Sequence, residues 1–123
     1  MTNEKTVLVV EDDQDTRDSI CTMLESIGYT PLSFDSGKAA LAQIPGKAIS
    51  VALLDIMMPE MNGYEVLDAI RKLPEFATLP VIMVTAKDRD SEILEGYHYG
   101  ADYYITKPFT RKQLEYGLKL FLS

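Results

Sequence analysis

Thr6-Val7-Leu8-Val9-Val10-Glu11-Asp12-Asp13 is a short apolar run, rich in β-branched residues, that ends abruptly in three acids. Such a run is too short for a buried helix and has the length and composition of a strand covered on both faces. Two more segments share its form. Val51-Ala52-Leu53-Leu54 runs into Asp55, and Tyr103-Tyr104-Ile105-Thr106 runs into Lys107-Pro108. If the strands are parallel neighbours, Glu11, Asp12 and Asp55 meet at one edge of the sheet with Lys107 beside them. Carboxylates crowded within a few Å resist ionising together, so the cluster calls for a cation. The set reads as a site for a divalent metal and a phosphoryl group.

Working outward, short apolar runs alternate with amphipathic stretches of helical length, which is the pattern of βα units around a parallel sheet. Strands are predicted near 6–10, 30–34, 51–55, 81–84 and 103–106, and helices near 15–27, 37–44, 64–72, 89–99 and 111–122. The boundaries agree: Gly28 and Gly100 follow the first and fourth predicted helices, Pro80 precedes the fourth strand, and Thr110 is placed to cap the last helix. Open sheets of this kind bind ligands beyond the carboxyl ends of their strands. Glu11, Asp12, Asp55, Thr85 and Lys107 all fall there.

Composition narrows the chemistry. The 123 residues suit one domain, with 46% apolar and 25% charged residues, ordinary for a globular chain. The net charge of −7 opposes direct nucleic-acid binding, which needs clustered Lys and Arg. No apolar stretch is long enough for a transmembrane helix, and no signal peptide is seen. The single Cys21 excludes an internal disulfide framework, suits a reducing compartment, and shares an apolar helical stripe with Ile20, Leu24 and Ile27, so it is expected in the core. With only one cysteine and one histidine, His98, there is no zinc cluster and no Cys-His or Ser-His-Asp triad in prospect. The turn after the first strand, Glu11-Asp12-Asp13-Gln14-Asp15, is acidic where a dinucleotide would need glycines, so nicotinamide and flavin chemistry are disfavoured. Part of that acidity also favours the start of a helix through its dipole. A hard dication such as Mg²⁺, or Mn²⁺, needs only a few such oxygens, since it keeps several waters.

With these residues in place, the chain resembles the receiver domain of bacterial two-component response regulators, of the chemotaxis-regulator-like kind. The match runs through four motifs in order: Val7-Leu8-Val9-Val10-Glu11-Asp12-Asp13, Leu53-Leu54-Asp55-Ile56-Met57-Met58-Pro59-Glu60-Met61-Asn62-Gly63, Val84-Thr85-Ala86, and Tyr104-Ile105-Thr106-Lys107-Pro108-Phe109. The resemblance implies a flavodoxin-like (βα)5 doubly wound parallel sheet with strand order 2-1-3-4-5, and residues 1–123 forming one receiver domain with no output domain in the chain. It implies that Asp55 accepts a phosphoryl group from a sensor histidine kinase, a histidine phosphotransfer protein or a small phosphodonor. Asp12, Asp55 and the backbone carbonyl of Met57 would hold Mg²⁺, with Glu11, where the family often has Asp, acting through water. Thr85 and Lys107 would contact phosphoryl oxygens, together with the backbone N–H groups of Met57 and Ala86. Pro108 is expected after a cis bond that aims Lys107 at Asp55, and Tyr104 is the expected switch aromatic, coupled to Thr85.

Further expectations concern output and alternatives. Ile93, Tyr97, Tyr116 and Leu120, with Tyr104 between them, form a possible stripe for a downstream partner or a second copy, across the predicted helix at 89–99, the last strand and the last helix. Leu94, Ala101, Leu114, Leu118 and Phe121 read as core, Gly63 as a turn into the third helix, and Met57 and Lys87 as flanking the path of an attacking water. A cytoplasmic location goes with the resemblance. Two rivals are a haloacid-dehalogenase-like phosphatase and an unphosphorylated dimerisation module. The phosphatase usually has a second Asp two residues past the first, where this chain has Met57, and the module would not need the complete reactive set.

Overall fold

The computed structural model describes residues 5–86 and 100–122. Five parallel strands form one sheet: β1 (Thr6–Val10), β2 (Thr30–Phe34), β3 (Val51–Asp55), β4 (Val81–Ala86) and β5 (Tyr103–Lys107). Their order is β2-β1-β3-β4-β5, as expected. The helices described are α1 (Gln14–Ile27), α2 (Gly37–Gln43), α3 (Gly63–Lys72) and α4 (Arg111–Lys119), with a 3-10 turn at Pro74–Phe76. The helix predicted at 89–99, and with it Lys87, Ile93, Leu94, Tyr97 and His98, lies outside the described residues.

Apolar residues dictate the layering, because successive side chains of a strand point to opposite faces. Leu8, Val10, Ala52, Leu54 and Met83 pack with Ala40, Ile44, Val66, Leu67 and Ile70 of the α2 and α3 side. Val7, Val9, Val51, Leu53, Ile82 and Val84 pack with Ile20, Leu24, Leu114 and Leu118 on the other. The central strands are therefore buried on both faces, and truncating one of the buried Leu, Ile or Met residues to Ala costs about 2–5 kcal/mol. β2 and β5 lie at the edges and are only partly covered.

Register carries this layering to the site. Val10 pairs with Leu54, Asp55 with Val84, Thr85 with Thr106, and Ala86 with Lys107. The strand ends bearing Glu11, Asp55, Thr85 and Lys107 therefore come level at one edge. β4 and β5 run two residues and one residue further than predicted, because the ladder continues through small and polar residues that apolar patterning does not mark.

Capping fixes the helix starts. Asp13 caps α1 by accepting from the Thr16 N–H at 2.9 Å, while Asn62 with Glu65 and Thr110 with Gln113 form reciprocal capping boxes on α3 and α4. Gly28, at φ +112°, ends α1 in the left-handed region that favours glycine. The Lys107–Pro108 bond is cis.

Three expectations are corrected. Gly63 is needed for space rather than for a turn: a Cβ there would lie 2.4 Å from the Asp55 carbonyl oxygen and 2.9 Å from the Ile56 Cα. Ala101, read from the sequence as a core residue at the end of the fourth predicted helix, is core but not helical, since Gly100 precedes it at φ +90° and the chain then enters β5. The last helix ends at Lys119 rather than 122, because the Leu118 carbonyl takes the N–H groups of both Phe121 and Leu122 in a closing turn. Phe121 is consequently only partly buried. No helix among the described residues is long and apolar enough to cross a membrane.

Candidate functional site

Glu11 is the first residue beyond β1, and its N–H donates to the Phe34 carbonyl of β2 at 3.1 Å. The strand thus delivers a carboxylate into the fold, where Glu11 is only 2% exposed. One of its oxygens pairs with Lys107 Nζ at 2.8 Å, and the other accepts the Asp13 N–H at 3.2 Å. Asp55 ends β3 and is 5% exposed. Its Oδ1 lies 3.3 Å from the same Lys107 Nζ. One cation thus bridges two buried carboxylates.

Asp12 is exposed, yet one of its carboxylate oxygens, with one each from Glu11 and Asp55, falls in a group whose members lie within 4.8 Å of one another. Asp13 does not belong to that group. Its side chain serves the helix start, accepting both the N–H and the hydroxyl of Thr16, and those two bonds lower its pKa. Asp15 lies in the first turn of α1.

Electrostatics separates the members further. Burial pushes the Asp55 carboxyl up to about 7, helped by its hydrogen bond to Glu11 and by the Glu11 charge, while Lys107 pulls the other way. Burial works against the Lys107 ammonium, but the Glu11 hydrogen bond and the two carboxylate charges outweigh it and its pKa is raised. The acids therefore hold more negative charge than Lys107 alone can neutralise. That excess, with a donor set made only of oxygens, fits a hard dication and could hold one.

The remaining expected residues differ in placement. Thr85 is buried at the same edge, and its hydroxyl donates to the Ala86 carbonyl at 3.3 Å. Ala86 ends β4 and is exposed, as is Met57, two residues beyond Asp55. Tyr104 packs against the α2 and α3 core with its hydroxyl oxygen buried. Tyr116 and Leu120 are exposed, and the other two residues of the proposed partner stripe lie outside the described residues. Cys21 is half-buried rather than core: Ile20 and Leu24 take the inner positions of α1, and Cys21 turns towards Ser33 of β2. Burial still pushes its thiol up.

Arg17 was not singled out by the sequence. Its guanidinium donates to the Glu11 carbonyl at 2.9 Å and reaches the Asp12 carbonyl at 3.5 Å. An arginine on an amphipathic helix is ordinary, and only its position four residues beyond a capping Asp hints that it folds back over the turn.

Comparison with known proteins identifies the family. Residues 7–119 match the response regulator receiver domain family, and the chain belongs to it. It is 40% identical over 103 residues to the regulatory protein VanRc of Enterococcus gallinarum, covering 84% of this chain and 43% of VanRc. The chain spans about half the length of the curated relatives it matches. Among solved structures, a response regulator from Chloroflexus aurantiacus superposes with a TM-score of 0.93 at 32% identity, covering 98% of each chain. The receiver domain of the sensor histidine kinase PA1611 from Pseudomonas aeruginosa, solved with a magnesium ion coordinated in its active-site cleft, superposes at 0.88 with 26% identity, covering 96% of this chain and 97% of that one.

Proposed function

We propose that this receiver domain is a phosphorylation switch in which Asp55 accepts a phosphoryl group from the phosphohistidine of a sensor histidine kinase or histidine phosphotransfer protein, or from a small phosphodonor. The observation that carries the reading is the meeting of Glu11, Asp12 and Asp55 within 4.8 Å, with Lys107 Nζ 3.3 Å from Asp55. Phosphoryl transfer depends mainly on positioning and on charge neutralisation, and this arrangement supplies both.

An ionised Asp55 oxygen attacks phosphorus as the bond to the donor breaks, its electron pair returning to the imidazole of a phosphohistidine (P–N) or to the carboxylate of acetyl phosphate (P–O). Lys107, already within reach of Asp55, pairs with a phosphoryl oxygen. Thr85 turns its hydroxyl from the Ala86 carbonyl to another oxygen, and the N–H groups of Met57 and Ala86 serve as further donors. Asp12, Asp55 and the Met57 carbonyl would hold Mg²⁺ or Mn²⁺, with Glu11 acting through water. When bound, the ion offsets the crowded carboxylates and the charge on the phosphoryl group. Water attack on the same phosphorus, past Met57, gives slow self-dephosphorylation.

Output follows from Thr85. A phosphoryl group biases a two-state element only through contacts that differ between states, and the turn of the Thr85 hydroxyl is such a contact beside Tyr104. We infer that this reshapes the face containing β5 and α4, with Tyr116 and Leu120 exposed on it, for a downstream protein or a second copy. Residues 1–123 act as one receiver unit, and we assign it to the cytoplasm on the family resemblance.

Incubation with acetyl phosphate and Mg²⁺ should add one phosphate to the mass of the wild type and none to Asp55→Asn. Equal labelling of both would move the acceptor elsewhere. Continuous phosphate release without an adduct would point to a phosphatase.

A further inference from the structure

We propose that Arg17 is a positioning residue for the metal, holding the backbone that carries two of the three acids. The inference rests on the metal site assigned above. Arg17 stands one turn into α1, and its own N–H closes that turn on the Asp13 carbonyl at 2.9 Å. Side chains on a helix lean towards its N-terminus, so the guanidinium runs back over the acidic turn. There it donates to the carbonyl of Glu11 at 2.9 Å and approaches that of Asp12 at 3.5 Å. Both contacts come from one guanidinium nitrogen, Nη1, whose two N–H groups can address two carbonyls.

The turn needs such a hold. Asp12 is exposed, so little packing fixes its carboxylate and its aim follows its backbone. A second tie, the Asp13 N–H donating to the Glu11 carboxylate at 3.2 Å, engages a residue of the cluster itself. When Glu11 turns to a metal-bound water, that tie weakens. The Arg17 bonds involve no ligand atom and persist, keeping Asp12 aimed as the ion arrives. Groups that orient ligands from outside the coordination shell influence metal affinity in this way.

Charge alone predicts the opposite effect. A cation near the site repels Mg²⁺, so removing it should tighten binding, whereas removing a hold on the ligands should loosen binding. The signs separate the two roles. Backbone amide shifts of the full chain, titrated with MgCl₂ without phosphodonor, would give Kd for the wild type, Arg17→Met, Arg17→Lys and Asp12→Asn. Arg17→Met should weaken binding by about ten-fold, the low end for an orienting partner, and Arg17→Lys should recover part of the loss. In EDTA the Asp13 amide of Arg17→Met should exchange faster while thermal unfolding shows the fold intact. Unchanged or tighter Mg²⁺ binding by Arg17→Met, with Asp12→Asn impaired, would overturn the role of Arg17 alone. If Asp12→Asn binds as well as the wild type, the metal site itself is misassigned and this inference falls with it.

Discussion

Replacing Asp55 with Asn should stabilise the metal-free protein at neutral to alkaline pH. The Asp55 carboxyl is raised from 3.8 to about 7, burial being the largest cause and Glu11 the next. The folded state therefore binds this proton more tightly than the unfolded chain, and stability falls as pH rises. The favourable contribution is complete below about 3.8 and is lost progressively up to about 7, then stays lost. At about 1.4 kcal/mol per pH unit, ionised Asp55 costs up to roughly 4 kcal/mol above that window. Asn removes the charge at similar volume, and Lys107 keeps Glu11 at 2.8 Å, so no cation is orphaned. Urea unfolding in EDTA, followed by far-UV circular dichroism because the chain has no Trp, should show Asp55→Asn about 2–4 kcal/mol more stable near pH 8. That gain should shrink to little near pH 4. Magnesium at ten times its Kd should add about 1.4 kcal/mol to the wild type and much less to the variant. A stability difference between wild type and variant that does not change over this pH range would refute the claim that the buried charge is costly.

Gly63→Ala should cost about 1–3 kcal/mol, because its Cβ would fall 2.4 Å from the Asp55 carbonyl oxygen, and it should also slow labelling of Asp55; unchanged urea midpoint and labelling rate would show that the backbone yields freely. Replacing exposed Met57 with Asn should shorten the phosphorylated form's half-life in Mg²⁺ by a factor of a few, read by the decay of the phosphate-mass adduct, and an unchanged decay would remove it as a screen against water. Arg71 donates to the Leu79 carbonyl, to the Gly100 carbonyl at 3.1 Å and to Asp102 at 3.2 Å, so Arg71→Met should cost about 1–2 kcal/mol in urea unfolding with little effect on Mg²⁺ affinity.

The strands were legible because parallel strands covered on both faces have few polar interruptions: Val7 to Val10, Val51 to Leu54 and Val81 to Val84 are nearly uniform. Where pairing continues through small or polar side chains, at Thr85, Ala86 and Lys107, the pattern stopped early although the ladder did not. Gly63 shows a similar limit. A glycine before a helix suggests a turn, but the reason for this one is the nearness of the Asp55 and Ile56 backbone, which local sequence does not display.

At the site, strand ends read from the sequence put Glu11, Asp55, Thr85 and Lys107 at one edge, where the structure has them, but apolar patterning alone does not divide their work. Asp12 and Asp13 are chemically alike, and one faces the cluster while the other caps a helix. The local clue was Thr16, three residues after Asp13, at the spacing where an Asp side chain meets a helical N–H. No local clue exists for Glu11 and Lys107, which meet because β1 and β5, strands that do not neighbour one another, end level across the sheet. The same long-range meeting modifies the state of Asp55, which burial sets in the first place. A lysine shared with Glu11 at 2.8 Å and Asp55 at 3.3 Å leaves the central carboxyl under-compensated, and so ready for a second cation. Strand order fixes which charges share that edge, while burial first, and then the balance between Glu11 and Lys107, sets how readily Asp55 is ionised for the proposed attack on phosphorus.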